Sequence, residues 1–226
     1  MTTPAISVLS TLDDIPPLTF TTPESFFALP LAATPDERAT LSETFVRELY
    51  SRGDDSLWTP AAPYYAALAE RLAQTGLSYS AMGLFSTDDD GGVVQCAFTV
   101  AAVETDQSDP EIAAHGILTA LAEDPYNDAR WMDLPCGPAV SCVTFREVVL
   151  SPEITADGEQ KKLLTGQIQV HVPFPTGPYT AVFTLHTAST EYWGEFCDML
   201  VAVLRTVSFT DSEANSPQAA SPEPEN

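Results

Sequence analysis

Two short stretches of the sequence carry hydroxyl or thiol groups that could act as nucleophiles. The first, residues 76–80 (Gly-Leu-Ser-Tyr-Ser), is close to the G-x-S-x-G pattern, in which a serine occupies a sharp turn between a strand and a helix. Ser80 replaces the last glycine, and a predicted helix precedes the stretch, so the order of elements is reversed. We therefore predict no catalytic role for Ser78.

The second stretch, residues 134–139 (Leu-Pro-Cys-Gly-Pro-Ala), surrounds a thiol with two prolines and a glycine. These residues predict a rigid turn that leaves Cys136 exposed or half-exposed. A catalytic cysteine needs a base or a helix N-terminus to stabilise its thiolate, and Arg130 is the nearest basic residue in the sequence. We interpret the stretch as a structural turn, with a reactive Cys136 as the alternative.

The other cysteines give no C-x-x-C or zinc-type spacing. Cys96 and Cys197 fall on apolar faces, which is typical of small buried side chains. Cys136 and Cys142 are close enough in the sequence to pair across a tight turn. Because no export signal is recognisable, we expect reducing conditions and free thiols.

An acidic run, Asp88-Asp89-Asp90, suggests a calcium-binding loop. An EF-hand-type loop that begins at Ser86 would place Asp88, Asp90 and Gly91 suitably, but its twelfth position is Ala97, where the bidentate glutamate is required. We interpret the run as a solvated hairpin tip and predict no metal site. The sequence also contains no phosphate-binding glycine motif and no H-E-x-x-H motif, and we predict no cofactor.

The three histidines are too few and too scattered for a metal triad. His171 and His186 are expected on the polar face of two neighbouring strands, together with Gln169. If the turn between these strands is tight, His171 lies near Thr180 and His186 near Thr165. We predict that Gln169, His171 and His186 belong to a polar interaction surface, and a catalytic sheet histidine stays open as an alternative.

Four helices are predicted to position these residues. Thr34, Pro35 and Glu37 form a capping box with proline at the first helical position, and Gly53 ends that helix. Its apolar residues recur at Leu41, Phe45 and Leu49. The other predicted helices span about 61–74, about 110–122 and the stretch from Trp193 to about Val207, where apolar residues repeat at i, i+3, i+4 and i+7.

The remaining periodic segments alternate between apolar and polar residues, as half-buried strands do. Ile168, Val170 and Val172 point one way and the residues between them the other. We predict an α+β fold with a twisted antiparallel sheet of six to seven strands, whose apolar face is covered by the last helix. The predicted strands span residues 26–30, 77–85, 93–103, 129–134, 139–150, 165–173 and 179–187.

The chain is predicted to form a single domain over residues 18–210. No linker rich in proline, glycine and serine interrupts its periodic segments. Residues 1–17 are predicted to be an irregular, flexible N-terminus. Residues 211–226 are rich in serine, proline and glutamate and are predicted to be a disordered acidic tail.

The charge of the chain excludes several partners. Thirty-two carboxylates against nine Lys and Arg give a net charge of −23 over 226 residues. Binding to nucleic acid or to anionic lipid headgroups needs clustered basic residues, and Lys161 and Lys162 are the only adjacent pair. A solubilising surface or an acidic docking face for a basic partner both fit this charge.

The sequence also gives expectations about location and source. The N-terminus has no signal-peptide pattern, and the longest apolar run, Met199 to Leu204, is far shorter than the ~20 residues of a membrane span. We therefore expect a cytoplasmic protein that does not insert into membranes. The excess of Arg over Lys and the abundance of Ala suggest a GC-rich bacterial genome.

The order of elements resembles the PsbP/DcrB-like fold family. The resemblance is carried by the early Phe27-Ala28-Leu29-Pro30 strand, the Gly137-Pro138-Ala139 turn and the closing stretch from Ala181 to Phe209, in which Trp193 lies on a helix that leads into a Ser-Phe strand. It covers about residues 130–210. It implies a twisted antiparallel sheet with helices packed on it and a mostly non-enzymatic, accessory function, and it implies no site residues.

The sequence therefore predicts a non-enzymatic protein-interaction or accessory module, such as an adaptor or a chaperone-like protein, with a protein partner. Two alternatives stay open: an enzyme without a recognisable motif, which uses Cys136 or a sheet histidine, and a structural subunit of a larger assembly. The oligomeric state stays unknown at this stage.

Overall fold

A computed structural model describes residues 15–87 and 92–209, together with the backbone of residues 6–8. The fold is α+β: seven antiparallel strands form one sheet in the order β3-β4-β5-β9-β8-β7-β6, and four helices pack against it. The strands are β1 (Ile6–Val8), β2 (Leu18–Phe20), β3 (Phe26–Ala28), β4 (Leu77–Ser86), β5 (Val93–Glu104), β6 (Asp128–Leu134), β7 (Gly137–Leu150), β8 (Lys161–Pro173), β9 (Tyr179–Thr187) and β10 (Ser208–Phe209). The helices are α1 (Pro35–Leu49), α2 (Asp55–Gln74), α3 (Pro110–Ala122) and α4 (Trp193–Leu204).

A second, small sheet has the order β1-β2-β10. Its strand β1 corrects our prediction that residues 1–17 are irregular throughout, because Ile6–Val8 pair with Leu18–Phe20. A strand of three residues is too short to show a period in the sequence. The acidic run Asp88-Asp89-Asp90 and the predicted tail over residues 211–226 lie outside the described residues.

The first face of the large sheet carries the main core, as the alternation predicted. Aromatic rings of three strands and of β2 meet there: Phe20 lies edge-on to Phe183 with 5.6 Å between ring centroids, and Phe98 stacks on Phe183 at 6.3 Å. Helix α4 covers this layer with four buried apolar side chains, each of which contributes about 1.5–3 kcal/mol by leaving water. These side chains are Phe196, Leu200, Val203 and Leu204.

The second face carries the other three helices. The α1–α2 hairpin covers the β3–β4 end of the sheet, where Phe27 and Met82 pack against a small core that contains Phe45 and Tyr65. Helix α3 covers β6, β7 and β8 at the opposite end. Its inward residues Ala113 and Ala114 are small, so the helix lies close to the sheet.

The N-cap of α1 was predicted more accurately than the set of residues that α1 buries. Thr34 Oγ1 accepts a hydrogen bond from the backbone N–H of Glu37 and donates one to its Oε2, so Thr34 is the N-cap of α1. In the predicted capping box the carboxylate would instead accept from the backbone N–H of Thr34. Of the predicted stripe of α1, Phe45 is buried, whereas Leu41 is 48% exposed and Leu49 is half-buried.

Helix α2 begins at Asp55, six residues before the predicted start, because Asp54 accepts a hydrogen bond from the Ser56 N–H and caps it. The helix continues through Pro60 and Pro63.

Candidate interaction surface

All three residues of the predicted interaction surface lie on the second face. Gln169 is opposite Thr184, with 3.5 Å between its Nε2 and the threonine Oγ1, and His186 is opposite Gln167. His186 is exposed, whereas Gln169 and His171 are half-buried. The surface is therefore polar as expected, but part of it is covered.

The pairing of the two histidine strands differs from the prediction by two residues. His171 lies opposite Val182, not near Thr180, and His186 lies opposite Gln167, not near Thr165. The reason is the turn: the backbone N–H of Phe174 donates to the Tyr179 carbonyl at 2.9 Å, which closes a longer loop than a tight hairpin. The two histidines are four register positions apart, about 13 Å along the strands, and share no site.

His171 lies at the covered end of this face. Its neighbour across the sheet, Val140, is fully buried beneath α3. The Nε2 atom of His171 is buried and has no hydrogen-bond partner within the described part of the chain. Burial lowers the pKa of this imidazole, so His171 is neutral at neutral pH.

The strands give the second face an unusual charge for this protein. Along β5, β7, β8 and β9, every described residue that points to this face is apolar, uncharged polar, histidine or basic. No aspartate or glutamate occupies these positions, although the chain has 32 carboxylates. The basic residues there are Arg146 and Lys161. These strand positions therefore do not repel an acidic group by charge, whereas the carboxylates elsewhere on the surface do.

The same face continues into a projecting two-stranded segment. Strand β6 pairs with β7 only up to Val143, and β9 pairs with β8 only from Gly166 onwards. Beyond these points, residues 144–150 of β7 and residues 161–165 of β8 pair with each other. We call these twelve residues the ribbon. The prediction began this strand at residue 165 and so missed four of the five residues of the β8 part, 161–164.

The ribbon exposes an unusual number of large apolar side chains. Phe145, Val148, Val149 and Leu164 are between 41% and 52% exposed. Strand alternation places Val148 on the second face and the other three on the first. The three first-face side chains occupy neighbouring positions on the paired strands, and such a group of exposed apolar side chains is typical of a contact surface for another protein.

The base of the ribbon is fixed to the body of the protein. The Trp193 ring at the start of α4 packs on Phe145, with 4.9 Å between ring centroids, and lies directly over Gly166. Thr165 Oγ1 donates to the Arg146 carbonyl at 3.2 Å. The exposed side chains further along are therefore presented by a supported pair of strands rather than by a loop.

The two strands of the ribbon carry more cations than carboxylates. They hold Arg146, Lys161, Lys162 and Glu147, a local charge of +2 in a chain of −23, whereas the loop that joins them adds Glu153, Asp157 and Glu159. Both lysines of the protein lie on the ribbon. Lys162 pairs with Glu147 at 2.7 Å and Lys161 pairs with Asp157 in the adjoining loop. Arg146 has no carboxylate partner among the residues that the structure describes.

The candidate nucleophiles do not form a catalytic arrangement. Cys136 occupies the two-residue turn between β6 and β7, where it is half-buried, and burial raises its pKa, so its thiol stays protonated at neutral pH. Burial likewise raises the pKa of Cys96, to about 12. All four thiols are free. Ser78 lies at the start of a strand that follows a helix, the reverse of a nucleophile elbow.

A groove on the outer side of the α1–α2 hairpin is the other concave feature of note, with a volume of about 520 Å³. Its floor is Val46 and Ala62, and Trp58 closes one end. Two of its polar groups are engaged with the protein: Trp58 Nε1 donates to the Tyr50 carbonyl at 3.0 Å, and the Arg47 guanidinium lies over the Trp58 ring. The groove is also lined by Glu43, Asp55 and Thr59.

The described residues contain no cluster of three or more His, Cys, Asp or Glu side chains that could hold a metal ion. None of their helices combines the length and the apolar character that crossing a bilayer requires.

Comparison with known proteins gives few relatives. No family model and no curated protein matches the chain. Among solved structures, a crystal structure from Bacteroides thetaiotaomicron VPI-5482 is similar with 12% sequence identity and a TM-score of 0.32, over 62% of this chain. The chain spans about half (48%) of the length of that protein.

Proposed function

We propose that this chain is a non-enzymatic protein-interaction or accessory module of the cytoplasm, adaptor-like or chaperone-like, and that its partner docks on the ribbon. The observation that carries the proposal is the exposure of Phe145, Val148, Val149 and Leu164 on strands that are held firmly at their base. A partner that covered these side chains would gain about 25 cal/mol for each Å² of apolar surface removed from water.

The second-face residues of β8 and β9 next to the ribbon extend the proposed docking surface. Gln167 and His186 lie next to the ribbon on the second face and offer hydrogen-bonding groups on the same side of the sheet as Val148. An apolar centre with a polar rim is the usual composition of protein interfaces. The resemblance to the PsbP/DcrB-like family, whose members are mostly accessory proteins, agrees with the proposal.

The enzyme alternative gains no support from the geometry. Cys136 is a protonated, half-buried thiol, and His171 is a neutral imidazole whose Nε2 faces no partner within the described residues. His171 and His186 are four register positions apart along β8 and β9. None of these groups therefore meets a second group that could activate it.

Site-specific photocrosslinking in the source cells tests the proposal. A benzophenone amino acid is placed at Val148 on the ribbon and, as a matched control, at Tyr64 on α2, which is 66% exposed. We expect discrete crosslinked protein bands from position 148 that are absent from position 64.

A substitution makes this test specific. Val149→Asp adds a charge to an exposed ribbon position and is expected to remove the bands while circular dichroism stays unchanged. Identical bands from both positions, or no bands from position 148, would contradict docking on the ribbon.

A further inference from the structure

The outer edge of the ribbon on the β7 side is an unpaired strand edge. Residues 144–150 pair with β8 on one side only, because β6 ends its pairing at Val143. Across the described parts of the chain, no backbone hydrogen bond outside β7–β8 involves residues 144–150. An unpaired edge of this length is a template for a further strand.

The corresponding edge of β8 is less open. The short helix Thr190–Tyr192, which follows β9, lies against β8. Strand addition is therefore favoured on the β7 side.

The charges along the ribbon determine which strand this edge accepts. Its local charge is +2, and Arg146 lies on β7 itself with no carboxylate partner in the described structure. A second copy of this chain would bring its own ribbon, with a second Arg146, against the Arg146 of this edge, and these like charges oppose self-pairing. A basic segment would meet like charges at Arg146 and Lys161.

We infer that the ribbon binds an extended acidic segment of another protein, with alternating apolar side chains, which adds as a strand to the outer edge of β7. Main-chain hydrogen bonds to residues 144–150 supply affinity. On the first face Phe145 and Val149 contact the apolar side chains of the added strand, and on the second face Arg146 contacts its acidic side chains. This inference rests on the proposed function, because it names the partner chemistry of the same ribbon.

The test uses the full chain and a defined probe, an acetylated, fluorescein-labelled heptapeptide of alternating valine and glutamate. A peptide with lysine in place of glutamate is the control probe. We expect saturable binding of the glutamate peptide by fluorescence anisotropy and at least tenfold weaker binding of the lysine peptide. In amide hydrogen exchange, the glutamate peptide is expected to protect residues 144–150 and to leave β6 unchanged.

A matched pair of charge reversals locates the binding. Arg146→Glu is expected to weaken the glutamate peptide at least tenfold, whereas Arg130→Glu, on exposed β6, changes its affinity by less than twofold. Equal effects of the two variants, equal binding of both peptides, or no protection at residues 144–150 would overturn the inference.

The outcomes separate this inference from the function on which it rests. Crosslinks from position 148 without binding of the glutamate peptide would refute the acidic strand and leave docking on the ribbon standing. Concentration-dependent dimers that lose exchange at residues 144–150 would refute it in favour of a second copy.

Discussion

The two faces of the large sheet are covered in different ways. On the first face, α4 and the small sheet enclose a continuous layer of aromatic and aliphatic side chains, among them Phe98 and Phe183, which are at most 1% exposed. On the second face, helices cover the two ends and leave Ala97 and His186 exposed between them. The first face therefore supplies most of the stability, and the second keeps surface available for contacts.

The largest expected effect tests the division between core and ribbon. Phe183→Ala removes a fully buried ring that contacts Phe20 and Phe98, and we expect a loss of about 3–5 kcal/mol in the free energy of unfolding, measured by urea denaturation. Phe145→Ala, on the ribbon and 48% exposed, is the matched control, with an expected loss of about 1 kcal/mol. Similar losses in the free energy of unfolding for both variants would show that Phe145 contributes to stability as a core residue does, which contradicts the division between core and ribbon.

A smaller effect is expected where the ribbon meets the first face. Gly166→Ala places a methyl group 2.6 Å from the Trp193 ring, which must shift, and we expect a loss of about 1–3 kcal/mol. Gly116→Ala is the control, because a methyl group on this α3 residue meets no atom within 4 Å; helix propensity predicts a gain of up to about 1 kcal/mol. If Gly166→Ala is neutral in urea denaturation, Trp193 does not hold the base of the ribbon.

The smallest expected effect is a pH dependence on the second face. Burial lowers the pKa of folded His171 below the value of about 6.5 in the unfolded chain, so between these two values the unfolded chain binds more protons. Stability is thus expected to fall as pH decreases from about 6.5 towards the folded pKa, and not to depend on His171 at higher pH.

His171→Gln is expected to remove this slope, whereas His186→Gln, at an exposed position, keeps it. The measurement is urea denaturation at a series of pH values between 7 and 5. Identical slopes in both variants would show that His171 is not the group that titrates.

The sequence predicted the features that repeat within one segment. Strict alternation at Ile168, Val170 and Val172 correctly indicated an antiparallel strand, and the spacing from Phe196 to Leu204 correctly indicated a helix on the apolar face. These patterns depend on a single surface that each element must bury. They therefore required no knowledge of the neighbouring elements.

The ribbon could not be predicted in the same way. Its edge exists because β6 and β9 stop pairing before β7 and β8 end, which depends on the register of four strands. The register between β8 and β9, which sets the distance between His171 and His186, likewise depends on the length of the loop before Tyr179. The adjacent pair Lys161 and Lys162 was the local signal, since lysine is common on exposed strand edges.

The position of the two lysines has a practical consequence for work with this protein. Apart from the α-amino group, every primary amine of the chain lies at the start of β8, so amine-directed dyes, biotin esters and activated sensor surfaces attach there. A chain immobilised through its lysines would hide the surface on which a partner is expected to dock. Attachment through an engineered C-terminal tag avoids this masking and leaves Lys161 and Lys162 free.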